Sequence, residues 1–147
     1  MIKLIKLPIL LGLLFSNTAF SSEILSVQEY VEKHQSDNQE AVTVYVSKRC
    51  AAIFLVTAKI VGESKKENKE VFDAMVNKGS ELMVIAATLE SEDNKSELVP
   101  ALEEVNGQVQ IMVDDLMQIS DKSYARTGEY LSPHIEDLKS CRAIFEI

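Results

Sequence analysis

Seven apolar residues between positions 98 and 119 recur in alternating steps of four and three: Leu98, Leu102, Val105, Val109, Met112, Leu116 and Ile119. That spacing lines one side of a helix and turns it toward a neighbour. Such a stripe must be buried against another element, so the chain has to supply partner helices.

The rest of the sequence does supply them. Ser26-Val27-Gln28-Glu29 reads as a capping box, with a first short helix running to about His34. Asp37-Asn38-Gln39-Glu40 offers a second start, and Val46, Cys50, Ile53, Thr57 and Ile60 extend a stripe as far as Val61, before Gly62. Within it, Val42-Thr43-Val44-Tyr45-Val46 alternates as a strand would, and its β-branched residues favour strands. A third helix is expected from Lys65 to Ser91, with Phe72, Met75, Val76, Gly79, Leu82, Met83, Ala86 and Leu89 on its stripe. The fourth should run from Ser96 to Ser120, with Pro100 tolerated in its first turn and Asn106-Gly107 a place for a bend or break. A short segment, Lys122 to Tyr130, follows. Ser132-Pro133 then opens a last helix carrying Ile135, Leu138, Cys141, Arg142 and Phe145.

Five to six helices with short connections predict an all-α fold, a compact antiparallel helix bundle. Few Gly and Pro, no Trp and 46% apolar residues suit that class better than a sandwich or barrel.

The N-terminus predicts export. Lys3 and Lys6 precede an apolar run from Leu7 to Phe15, and a small polar segment follows to Ser22. Residues 1–21 therefore read as a secretory signal cut after Ser21, with Ala19 the next choice, leaving residues 22–147 as one helical domain. The run is half the roughly twenty residues a spanning helix needs, and no later stretch reads as long and apolar enough to span a bilayer. Removing the two lysines takes the formal charge from −8 to −10. That sign excludes nucleic acid and argues against an anionic membrane surface as partner. The expected location is the bacterial periplasm or the cell exterior.

Only two cysteines occur, Cys50 and Cys141, both on expected stripes. An exported chain meets an oxidising compartment, so a disulfide between them is expected, tying the last helix to the second. A redox centre or c-type haem would require Cys-x-x-Cys, which is absent; two buried thiols are the other alternative. Lys48 and Arg49 would lower the Cys50 pKa were it free.

Candidates for chemistry are sparse. His134 and Asp137 share a helical face but lack the Glu-x-x-His pattern of helical metal sites, so a solvated helix start explains them better. The acid pairs Glu103-Glu104 and Asp114-Asp115 lie off the apolar stripe and read as a solvated face. No nucleophile elbow, phosphate loop, catalytic residue, metal set or cofactor motif is evident. Tyr124, Arg126 and Tyr130 gather residue types favoured at interfaces and form a candidate contact surface. The leading expectation is a non-enzymatic protein-interaction factor: an inhibitor, immunity protein, chaperone or assembly accessory, with another protein as partner. A bundle carrying an apolar ligand or haem ranks second, and a hydrolase with an unrecognised site third.

Overall fold

A computed structural model describes residues 24–62, 68–129 and 132–145, with the side chains of 132–134 left out. The expected signal segment, its cut sites and Tyr130 lie outside the described residues. The described residues form five helices and no strand: α1 (Val27–Lys33), α2 (Gln39–Gly62), α3 (Lys69–Asn94), α4 (Leu98–Thr127) and α5 (Ser132–Phe145). They pack as a helical bundle closed by the Cys50–Cys141 disulfide.

α2 is the central element. Every residue from Val46 to Phe54 is buried, so its whole circumference is covered rather than one stripe. α3 and α4 pack on it and on each other, as do α1 and α5. The Val42–Val46 segment is helical too: Val42, Val44 and Tyr45 are half-buried against the core while Thr43 is exposed, and tertiary packing overrides β-propensity. The helix also corrects one expectation. α2 is long and apolar enough to cross a membrane by length and composition, yet here it forms the core of the bundle.

The α2–α3 pair packs through small residues. Ala51 and Ala58 lie two turns apart on α2, as do Gly79 and Ala86 on α3. A Cβ at Gly79 would stand 3.0 Å from Leu55 and 3.3 Å from the Ala51 carbonyl, so glycine sets how closely the helices approach. Around this contact Ile53, Phe54, Leu82, Val105 and Val109 are almost fully buried, each worth roughly 2 kcal/mol of apolar transfer.

Helix ends follow the capping signals. The Ser26–Glu29 capping box is present in full. Asn38 rather than Asp37 opens α2, its side chain accepting from the Glu40 N–H at 3.0 Å. α3 continues past Ser91 to Asn94, where Lys95 adopts a left-handed conformation and the Ser96 N–H reaches the Ser91 carbonyl.

α4 is one helix, joining the two segments expected from the sequence. Nothing lies within 4 Å of a Cβ placed on Gly107, so that glycine faces open solvent and does not interrupt the helix. The buried positions are Ala101, Val105, Val109, Met112, Leu116, Ser120 and Ser123. Leu98 and Ile119, at the ends of the expected stripe, are 45% and 41% exposed. A strict seven-residue repeat drifts about 20° per two turns around a straight helix, so its ends rotate out of the contact.

Candidate functional site

Two consecutive cations of α2, Lys48 and Arg49, are buried and turn toward different neighbours. Residues one apart on a helix point about 100° from each other, so the pair reaches different neighbours. The Lys48 ammonium pairs with Glu90 of α3 and donates to Gln108 Oε1 of α4 at 2.5 Å. The Arg49 guanidinium meets Asp137 of α5, with Nε and Nη2 each 3.0 Å from Oδ2. Asp137 Oδ1 accepts the Val27 N–H at the start of α1 at 3.0 Å. Both carboxylate oxygens of Asp137 thus have partners inside the bundle. Arg49 Nη1 and Ser47 Oγ are buried with no hydrogen-bond partner among the described residues.

Beside this polar layer runs an aromatic stack. The Tyr30 ring lies on Tyr45 at 3.6 Å and on His34 at 4.2 Å, and the Tyr45 hydroxyl donates to the Leu25 carbonyl at 2.7 Å. His34 Nδ1 contacts Asp37 at 2.5 Å. Burial pushes the Tyr45 phenol above its ordinary range, against the pull of the nearby Arg49 charge.

Surface clefts open beside these contacts and elsewhere on the bundle. One of about 320 Å3 opens over Tyr30, Tyr45, Lys48, Glu90 and Gln108. A second of the same volume lies between α1 and α5, lined by Glu29, Glu32, Glu136 and Asp137. The smallest, about 250 Å3, flanks the α1–α2 connection at His34 and Asp37. Several charged side chains rim the first two, and among them Lys48, Glu90 and Asp137 join helices.

The fourth differs in kind. A groove of about 360 Å3 runs between α3 and α4, lined by Ser80, Met83, Val84, Val99, Leu102, Glu103 and Asn106. Val99 is 68% exposed and Val84 46%, far above what one side of a packed helix needs to leave in water. Glu103 supplies the only charge of the lining and has no cationic partner among the described residues.

The sequence-expected residues fall elsewhere. Cys50 and Cys141 are fully buried, their sulfurs 2.07 Å apart in a disulfide that fits an oxidising compartment. Tyr124 is 51% exposed and Arg126 is exposed, both near the end of α4, and neither lines any of these four clefts. They stand some 30 Å along α4 from the groove, at about 1.5 Å per residue. Asp137, considered with His134 as a metal pair, is committed to Arg49 and Val27. Among the described residues no three potential metal-ligating side chains cluster.

The groove was not anticipated. Sequence periodicity places Met83 and Leu102 on core stripes and gives no role to Val84 and Val99. Their signal was present all the same: both are large apolar residues that fall outside their helix's repeat. No protein-family model, curated protein or solved structure matches this chain.

Proposed function

We propose that this chain is an exported, non-enzymatic interaction protein that presents the α3–α4 groove to a protein partner. The single observation that carries this reading is the apolar lining of the groove on a strongly acidic surface. Exposed apolar side chains contiguous along two helices cost solubility, and a partner that covers them recovers the hydrophobic free energy. Export is supported by the basic, apolar and small-polar order of residues 1–21 and by the disulfide, which together favour the periplasm or cell exterior. An inhibitor, immunity factor, chaperone or assembly accessory would each use such a surface.

Site-specific photo-crosslinking in the native organism tests the proposal. A crosslinker at position 99 should capture a defined polypeptide, and Val84→Asp should abolish the capture. A crosslinker at position 126 should not yield the same product. Failure to capture from position 99, or capture indifferent to Val84→Asp, would remove the reading.

A further inference from the structure

The groove has two properties that narrow what can fill it. We infer that its occupant is an amphipathic helix carrying Lys or Arg beside its apolar stripe. This inference rests on the groove being a docking surface and specifies what docks.

Both walls are helices, and beyond the first turn of α4, where Val99 sits, their backbone N–H and C=O groups are satisfied internally. They offer no ladder of donors and acceptors to an extended strand. Recognition must therefore come from side chains, and a third helix laid over two others presents side chains at the spacing a groove accepts. Met83 adds an adaptable, polarisable surface to the fixed shapes of Val84, Val99 and Leu102.

Charge selects among helices. Glu103 edges the groove and has no cationic partner among the described residues, and neither Lys nor Arg lines it. The chain as a whole carries −8. A basic helix gains from both the local carboxylate and the long-range field, the second chiefly through its rate of association. A second copy of this chain is disfavoured on the same grounds. A two-fold contact through the groove would bring two Glu103 carboxylates to one interface and set two acidic proteins against each other.

The test uses the oxidised protein and synthetic amphipathic peptides long enough to form a helix. One has Leu at i, i+3, i+4 and i+7 with Lys elsewhere; another keeps the Leu stripe and replaces Lys by Glu. Binding is followed by fluorescence anisotropy, with circular dichroism of every variant. The Lys peptide should bind at least about tenfold tighter than the Glu peptide. Glu103→Lys should narrow that ratio by about threefold, the scale of one exposed ion pair. Val99→Asp, at a position open to solvent, should weaken the Lys peptide at least about tenfold without loss of helicity.

Equal affinity for the two peptides, or a ratio unmoved by Glu103→Lys, would overturn the charge assignment while leaving the groove as a docking surface. Affinity unmoved by Val99→Asp would overturn the groove itself. A concentration-dependent dimer that Val99→Asp dissociates would replace the basic helix by a second copy.

Discussion

Arg49 and Asp137 form an ion pair directly beside the Cys50–Cys141 disulfide, Arg49 one residue before its cysteine and Asp137 one helical turn before the other. Two crosslinks of different chemistry therefore join α2 to α5 side by side, and Asp137 extends the tie to α1 through the Val27 N–H.

Both partners of that pair are buried, with side chains 6% and 3% exposed. Asp137→Ala should destabilise the bundle by about 3 to 5 kcal/mol, because it leaves a guanidinium uncompensated in the interior. The double variant Arg49→Met, Asp137→Leu should recover most of that loss. Lys48→Met should cost less, since the orphaned Glu90 can still reach water. Urea denaturation of the four proteins checks the order, and a cost for Asp137→Ala below about 1 kcal/mol would mean that water already reaches the pair.

The disulfide spans a sequence separation of 91 residues. A loop of that length restricts the unfolded chain by roughly 4 to 5 kcal/mol in the chain-entropy treatment. The Cys50→Ala, Cys141→Ala protein should lose stability of that order and keep its helical circular dichroism, because the Arg49–Asp137 pair still holds α5. Both sulfurs are fully buried, so reduction by a thiol should be slow in buffer and accelerate through the urea transition. Rapid reduction of the folded protein would contradict that burial.

Much of the architecture was legible because it follows from periodicity. The stripe from Leu98 to Ile119, the capping box at Ser26 and the pairing of the only two cysteines each translate directly into an element or a contact. The central position of α2 was hidden because the stripe from Val46 to Ile60 marks one side only, whereas Val46 to Phe54 is buried all round, and Val42–Val46 mimics a strand. Burial of Lys48, Arg49 and Asp137 was hidden for a related reason. Charged residues are read as solvated, and only their partners on three other helices show otherwise. The groove was obscured in part because Met83 and Leu102 sit on repeats; Val84 and Val99, which do not, marked the exposed apolar face.

Three glycines should respond in different ways to a methyl or larger group. At Gly107 nothing lies within 4 Å, so Gly107→Ala should stabilise α4 by about 1 kcal/mol through helix propensity alone. Gly128 closes α4 at φ 74, where a side chain is strained, so Gly128→Ala should destabilise by about 1 kcal/mol. At Gly79 the Ala51 carbonyl and Leu55 leave no room for a branched side chain, and Gly79→Val should force α2 and α3 apart. Thermal midpoints should therefore rise for the first and fall for the other two, most for Gly79→Val. A rise at Gly79 would show that the helix pair has slack.

Tyr45 sets the alkaline limit of one part of the fold. Its phenol is half-buried under the Tyr30 ring, and desolvation raises its pKa above the ordinary value of 10.0, with the Arg49 charge opposing. A group whose neutral form the fold prefers contributes its full stability below the unfolded pKa. That contribution is lost as pH climbs from there through the raised folded value. Absorbance titration near the tyrosinate band should accordingly contain a late component in the folded protein, and Tyr45→Phe should remove it. The same variant also deletes the donor to the Leu25 carbonyl, so it should loosen the segment leading into α1 and raise amide exchange at Ser26 and Val27. If Tyr45→Phe leaves the titration curve unchanged, the stack on Tyr30 does not shield the Tyr45 phenol from water, whereas unchanged amide exchange at Ser26 and Val27 would remove the tie from α2 to Leu25.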